Sequence, residues 1–185
     1  MGETRYTDGD YLRKHPSWHV EDSPWGATQI LKMVQRNNLN PQTVCEIGCG
    51  AGEILRQLQL NLNAESEFGG YEISPQAREL FRKRANERLH FKFHDILHEE
   101  NVYFDLILCI DVIEHIENYF SFLRNIQAKS KYKIFHVPLD VSVQSVLRRN
   151  KLVKERNKSG HIHYFTKEIA NKALMELGYN VIDYF

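Results

Sequence analysis

A glycine-rich turn directly after a short apolar run constrains this chain more than any other feature. In VCEIGCGAGEIL, residues 44–55, glycines stand at positions 48, 50 and 52, and apolar residues resume helical spacing behind them. Glycine lets the backbone approach a ligand closely, and a helix that begins there points free N–H groups at that ligand. The stretch therefore predicts a strand, a ligand-binding turn and a helix.

The same alternation of strand and helix continues along the chain. Apolar or period-two runs predict six strands, at 43–48, 68–74, 89–95, 103–112, 131–139 and 179–185. Helical spacing predicts helices between them, at 23–37, 53–60, 75–86, 117–127 and 167–177. Repeated strand-helix-strand units predict a doubly wound α/β fold with a mostly parallel sheet, whose ligands bind at the carboxyl ends of the strands.

Charge and composition exclude several kinds of partner. Lys plus Arg and Asp plus Glu number 24 each, so no net field attracts nucleic acid or an anionic membrane surface. The N-terminus has no apolar signal segment, and no run reaches the roughly 18 apolar residues that a membrane span needs. We therefore expect a cytoplasmic protein without membrane or nucleic-acid partners.

The three cysteines indicate neither a disulfide framework nor a zinc site. Cys45, Cys49 and Cys109 are an odd number, and two of them lie in apolar strand-like runs. There is no C-x-x-C pair, the usual sign of a cysteine zinc site. We expect all three to be reduced thiols.

The position after the turn separates two classes of nucleotide ligand. The dinucleotide fingerprint read from Gly48 and Gly50 needs a third glycine at position 53, where this chain has Glu53. An acidic side chain would repel the pyrophosphate of a dinucleotide. The other ligand that binds at such a turn, S-adenosylmethionine, has no phosphate and carries a sulfonium cation, so an acidic side chain does not repel it. Glu72, 22 residues after Gly50, ends the second strand, where a carboxylate can accept both ribose hydroxyls. The turn therefore favours S-adenosylmethionine over NAD.

Four stretches, in order, resemble the cofactor motifs of the class I S-adenosylmethionine-dependent methyltransferases: VCEIGCGAGEIL, GYEIS, FHDIL and FDLILCIDVIEHI. The tail HIHYFTKEIANKALMELGYNVID is further similar to the small-molecule branch that includes the ubiquinone-pathway O-methyltransferases. The resemblance covers about residues 43–185 and implies a Rossmann-like sheet in the order 3-2-1-4-5, then strand six. The family usually adds a seventh, antiparallel strand, so we expect either a truncated chain or a sheet edge left to something else.

The resemblance implies that ten residues contact S-adenosylmethionine, whose product is S-adenosylhomocysteine. They are Glu46, Gly48, Cys49, Gly50, Glu72, Ile73, Asp95, Ile96, Ile110 and Asp111. The turn residues would face the methionine moiety, Glu72 the ribose, and Asp95 the adenine amino group. Ile73 and Ile96 would lie beside the adenine, and Ile110 and Asp111 near the methionine tail.

The chain is expected to form one domain, because no linker of Pro, Gly or Ser divides its 185 residues. We divide it into an N-terminal helical cover (1–40), a cofactor-binding core (43–140), an acceptor-side insertion (141–165) and a last helix and strand (166–185).

Methyl transfer from a sulfonium is an in-line displacement with a neutral leaving group, so it needs no general acid. Orientation alone can supply roughly 7 to 11 kcal/mol, whereas an oxygen nucleophile usually also needs a base. We expect O- or N-methylation of a small molecule under a mobile roof over 138–165, with His163, or second His161, as that base. If the segment is extended, both rings face one side. No third ligand stands at metal spacing beside them, so no metal site is predicted.

Other polar residues in the second half of the sequence are more simply explained by structural roles. His115 is more typical of a packed residue and His136 of a hydrogen-bonded core histidine. Six cations concentrate in one stretch, namely Arg148, Arg149, Lys151, Lys154, Arg156 and Lys158. They form either a solvated helix face or a site for an anionic acceptor, and they lack the aromatic platforms of single-strand binding.

Two other functions stay open from the sequence: a nicotinamide-dependent oxidoreductase, and a non-catalytic module that binds S-adenosylmethionine. NADH fluorescence on binding would identify the first, and the absence of turnover with a metabolite pool the second. The sequence does not determine the acceptor or the oligomeric state.

Overall fold

The computed structural model of the protein describes residues 9–148 and 150–185. Its sheet has five strands in the order β3-β2-β1-β4-β5, and each pairing is parallel. The strands are Thr43–Ile47 (β1), Glu67–Glu72 (β2), Leu89–Phe93 (β3), Phe104–Ile110 (β4) and Ser130–His136 (β5). The predicted doubly wound α/β fold and the order of the first five strands are confirmed.

Eight α-helices lie in the described part of the chain. They are Asp10–Lys14 (α1), Ser23–Arg36 (α2), Glu53–Gln59 (α3), Pro75–Arg82 (α4), Tyr119–Gln127 (α5), Val143–Leu147 (α6), Lys151–Ser159 (α7) and Lys167–Glu176 (α8). Two 3₁₀ turns, Ile96–His98 and Ile113–His115, follow β3 and β4. The predicted insertion after β5 therefore contains α6 and α7.

The sheet is buried on both faces because side chains of one strand alternate between two cores. On β4, Leu106 and Leu108 pack with α2 and α3, whereas Ile107 and Cys109 pack with α5 on the opposite face. All four are at most 1% exposed. A continuous apolar run is what a central parallel strand needs, because helices cover both of its faces.

The predicted sixth strand is wrong. Residues 179–185 form no strand, and side-chain contacts hold them instead. Tyr179 donates to the carbonyl of Leu123 at 2.6 Å, and Asp183 accepts from Arg36 and Asn37 at 2.9 Å each. Period-two patterning makes a strand only where a neighbouring backbone pairs with it, and this segment crosses to the end of α2 rather than pairing with β5.

Local signals set the ends of four of the five predicted helices to within two residues, whereas the helix predicted over 75–86 ends at Arg82. Thr166 caps α8 through a hydrogen bond from the Ile169 amide at 3.2 Å, and Gly178 follows the helix with a φ of 85°. Cys45, Cys49 and Cys109 are buried thiols. Among residues 9–148 and 150–185 no helix combines the length and the hydropathy needed to cross a membrane.

Candidate active site

The glycine turn joins the end of β1 to the start of α3 in a backbone conformation that suits glycine. Gly48, Gly50 and Gly52 have φ values of 69°, 50° and 76°, all in the left-handed region. The amide of Gly48 donates to the carbonyl of Tyr71 at 2.8 Å, which ties the turn to β2. A Cβ at Gly52 would lie 2.4 Å from the ring of Phe91, so this position has no room for a side chain.

Glu72, the last residue of β2, is held by backbone amides. Its Oε2 accepts from the Gly50 amide at 2.8 Å, and its Oε1 accepts from Ile73 and Ser74 at 2.8 and 2.7 Å. Burial raises the pKa of Glu72, and the three amides partly oppose this. The carboxylate therefore fixes the glycine turn as well as standing where the sequence places a ribose.

Glu46, in β1, is a second buried carboxylate near the glycine turn. It is 3% exposed, and no described residue hydrogen bonds to its Oε2. Burial, and then the charge of Glu72, raise its pKa well above the usual range. An unpartnered buried carboxylate oxygen is satisfied by a cationic group, and the ammonium of an amino acid is one.

The sequence predicts that the charge of Glu53 acts on a ligand at the turn, but in the structure this carboxylate is paired with two arginines. Its carboxylate is bonded to Arg56 at 2.6 Å and to Arg84 at 2.6 Å. Burial opposes ionisation, but these arginine hydrogen bonds lower the pKa of Glu53 to about 2. The two guanidinium groups offset the charge of this carboxylate beside the turn.

The ends of β2 and β3 offer one apolar and one acidic group. Ile73 is 50% exposed and lines the cleft, where its apolar side chain suits the face of a flat ring. Asp95 caps the 3₁₀ turn after β3, with its Oδ1 accepting from the Leu97 amide at 2.8 Å. Ile96 is fully buried behind it.

At the ends of β4 and β5, Asp111 and His136 are hydrogen bonded. Asp111 directly follows β4 in the left-handed region, with a φ of 53°, and its Oδ1 lies 2.7 Å from His136 Nδ1. The hydrogen bond that the Asp111 carboxylate accepts raises the pKa of His136. The ring is 46% exposed, and Trp25 approaches it edge-on at 6.3 Å. His136 is therefore accessible in the cleft rather than a core histidine.

A second polar group, the Glu114 cluster, consists of Glu114, His115, His161 and Asp140. His161 Nδ1 lies 2.6 Å from Asp140 Oδ2, and His115 Nδ1 lies 3.2 Å from the carbonyl of Gly160. Glu114 is fully buried, and no described residue hydrogen bonds to either carboxylate oxygen. Burial, and then the charges of Asp111 and Asp140, raise its pKa to about 8.

His163, the first predicted base, points away from this group. Its Nε2 donates to the carbonyls of Ile116 and Glu117 at 2.9 and 3.2 Å, and its ring packs on Tyr119 at 4.8 Å. The expected shared side for His161 and His163 is not found. The reason is that the segment is no paired strand: the amides of residues 162 and 163 both donate to the Glu114 carbonyl.

One cleft of about 1760 Å³ runs along the carboxyl ends of the strands. Its lining includes the ten residues expected at the cofactor, together with His115, His136 and His161. His163 is not in the described lining, nor are the described cations of α7 and its flanks. This favours a solvated helix face for those cations, while Arg149 lies outside the described residues.

The N-terminal cover reaches the glycine turn through Trp18. A Cβ on Gly50 would lie 2.6 Å from the indole, so this ring rests directly on the turn. Trp18 and His19 both have positive φ values, 53° and 59°. The segment between α1 and α2 therefore closes one side of the cleft.

The sequence gives no functional role to Asp140 or Glu114, and the core role that it predicts for His136 is wrong, because the ring is 46% exposed. One signal was available for His136, because Ile110 pairs with His136 in parallel register and Asp111 follows directly. Carboxyl ends of neighbouring parallel strands meet at one edge. The approach of Asp140 to His161 had no such signal, since 21 residues and two helices separate them.

Several solved methyltransferases share this fold. Magnesium protoporphyrin IX methyltransferase of Synechocystis PCC 6803, solved with SAM, is 15% identical, with a TM-score of 0.62 over 86% of this chain and 70% of that chain. The plantazolicin methyltransferase BpumL, solved with SAH, is 16% identical, with a TM-score of 0.69 over 95% and 72%. The N-methyltransferase NodS of Bradyrhizobium japonicum WM9, also solved with SAH, is 19% identical, with a TM-score of 0.59 over 81% and 71%. At these identities the likeness shows the fold, which is that of a Rossmann-like methyltransferase.

The sequence itself identifies the family. The model of a methyltransferase-domain family matches residues 25–184, so the chain belongs to that family. A comparison with curated proteins gave no significant match. Membership supports a methyltransferase over the nicotinamide-dependent oxidoreductase that the sequence left open.

Proposed function

We propose that this protein transfers the methyl group of S-adenosylmethionine to an oxygen or nitrogen atom of a small-molecule acceptor. The observation that carries the proposal is the convergence of ten motif residues from four strand ends on one cleft. The three structural neighbours described above bind SAM or SAH at the same fold.

The residues present fit the cofactor. Gly48 is exposed and lines the cleft, Trp18 and Phe91 leave no room for a side chain at Gly50 and Gly52, and Glu46 presents a buried carboxylate oxygen that lacks a described partner. Glu46 would hold the ammonium of the methionine moiety, Glu72 the ribose and Asp95 the adenine amino group. Ile73 would cover one face of the adenine. The cofactor supplies a methyl group on a sulfonium, and the chain supplies the orientation.

A base for the acceptor is proposed at His136 in place of His163. Asp111 holds His136 Nδ1 at 2.7 Å and so fixes the tautomer in which Nε2 can accept a proton. The pair stands at the ends of β4 and β5, beside the expected position of the methionine tail. His161, the second predicted base, also lines the cleft, but its side chain is 12% exposed against 46% for His136.

Binding and turnover test this proposal separately. Calorimetry should show micromolar binding of S-adenosylmethionine or S-adenosylhomocysteine and none of NAD. Release of S-adenosylhomocysteine with a pool of small hydroxyl and amine compounds should then identify the acceptor. Equal binding of NAD would contradict the proposal, and cofactor binding without turnover in any pool would favour the non-catalytic module.

Two finer assignments belong to the same proposal. The tail at 161–183 resembles the ubiquinone-pathway branch, which favours an acceptor with a hydroxyl group. The three buried thiols suit a reducing compartment, and we propose the cytoplasm. Methylation of an amine alone would argue against the first assignment, and fractionation of cells would test the second.

A further inference from the structure

We infer that Glu114, His115 and His161 form a binding site for one zinc-class divalent cation on the acceptor side of the cleft. Each residue offers one ligand atom, and these atoms all lie within 4.8 Å of one another. Two histidines and one carboxylate are the ligand set of several catalytic zinc sites. The sequence showed no third ligand because Glu114 lies 47 residues before His161.

The hydrogen bonds behind both histidines prepare them as ligands. Asp140 accepts from Nδ1 of His161 at 2.6 Å, and the carbonyl of Gly160 accepts from Nδ1 of His115 at 3.2 Å. Because both acceptors are oxygen atoms, each of these hydrogen bonds needs the ring proton on Nδ1, which makes Nε2 the nitrogen that a cation would bind. A carboxylate or carbonyl behind a histidine is the usual outer partner of a metal-binding imidazole.

Glu114 supplies the independent evidence for a bound cation. Its side chain is fully buried, with Oε1 3.8 Å from Nε2 of His115. No other described residue hydrogen bonds to either oxygen. A buried carboxylate without donors is costly unless it is paired or coordinates a metal, and a divalent ion removes that cost.

The backbone fixes the cluster in place. The amides of Ile162 and His163 donate to the carbonyl of Glu114 at 2.8 and 3.2 Å, which holds the segment with His161 against the turn with Glu114. The rings of His115 and His161 meet edge-to-face at 5.1 Å. Metal bonds of about 2.0 to 2.2 Å place tetrahedral ligand atoms about 3.4 Å apart, so small side-chain rotations would close the site.

The fourth position of such a site would face the cleft, because His115 and His161 line it whereas Glu114 lies behind them. A cation there could bind an acceptor oxygen and lower its pKa. This use rests on the proposed function, but binding of the ion itself does not.

Metal titration of the protein alone tests the inference. The chain is stripped with a chelator and titrated with Zn²⁺ by calorimetry and with Co²⁺ by visible absorption, without cofactor or acceptor. We expect one ion per chain and visible Co²⁺ bands. Both should be lost in Glu114→Gln and in His161→Ala, and Asp140→Asn should weaken binding about 10- to 100-fold.

The surface pair His94 and His98, whose ring centroids lie 5.8 Å apart, provides the matched control. His98→Ala should leave the bound ion unchanged. Circular dichroism and binding of S-adenosylhomocysteine show whether each variant is folded, and His115→Ala replaces any variant that is not. Absence of a stoichiometric ion, its retention in the folded ligand variants, or its loss in His98→Ala would each overturn the site. A protein that binds the ion but no cofactor would instead overturn the proposed function.

Discussion

At the end of β2, backbone amides hold the Glu72 carboxylate, whereas beyond β4 and β5 histidine side chains hold Asp111 and Asp140. Glu72 takes three amide hydrogen bonds within its own turn and the glycine turn. Asp111 with His136, and Asp140 with His161, instead bind side chains from distant segments. The first arrangement suits a constant ligand, since backbone geometry varies little, and the second can change with the acceptor.

The largest expected effect is on turnover, and it comes from the side chains beyond β4 and β5. His136→Gln should lower turnover by about 10²- to 10⁴-fold with little change in cofactor affinity, because the proposed base is lost. Steady-state kinetics with an identified acceptor, beside calorimetry, measure both. Normal turnover here, together with a loss in His163→Ala, would restore the prediction from the sequence.

Removing the Glu72 side chain should weaken cofactor binding and destabilise the glycine turn. Glu72→Ala should weaken cofactor binding about 10- to 100-fold, because hydrogen bonds to a charged group contribute roughly 1.5 to 3 kcal/mol. It should also lower the melting temperature, since three amides lose their acceptor. Glu79→Ala is the control, because Glu79 is an exposed carboxylate of α4. An unchanged melting temperature would show that the glycine turn is stable without the Glu72 carboxylate.

Glu53→Gln tests the charge pair behind the turn. The folded-state pKa of Glu53 is lowered to about 2, so its stabilising effect is present above the unfolded value of 4.5 and is lost as the pH falls through 2. The variant should melt at a lower temperature than the parent at pH 6. The gap should narrow between about pH 4.5 and pH 2, as melting curves over this range would show. A gap that is independent of pH would mean that Arg56 and Arg84 contribute by packing.

The smallest expected effect is a shift in the pH profile. The hydrogen bond that Asp111 accepts raises the pKa of His136, and a base works only when it is deprotonated. Turnover of the parent should therefore rise with pH through a midpoint above the ordinary pKa of histidine. Asp111→Asn should move that midpoint to lower pH at saturating cofactor. An identical profile in both proteins would show that another group limits the rate.

The sequence predicted the half in which chemistry lies within short contiguous motifs. The glycine turn, Glu72 and Asp95 each lie at or within two residues of the end of a strand, so strand order alone brings them together. The Glu114 cluster gathers groups from three connections, and His163 turned away because the carbonyls of Ile116 and Glu117 accept its proton. The prediction of a sixth strand was wrong for a related reason. Alternation of apolar and polar residues indicates which side chains are buried, but a strand also needs a neighbouring backbone to pair with.

The two tryptophans of the chain stand one in each half of the cleft. Trp18 lies on Gly50 of the glycine turn, and Trp25 lies edge-on to His136. Indole emission responds to contact with a bound ligand and is quenched by a nearby protonated imidazole. Trp25→Phe leaves a fluorophore that reports occupancy of the turn, and Trp18→Phe leaves one that reports the charge of His136. Binding at one end of the cleft and protonation at the other can thus be followed optically in two single-tryptophan variants, without an attached label.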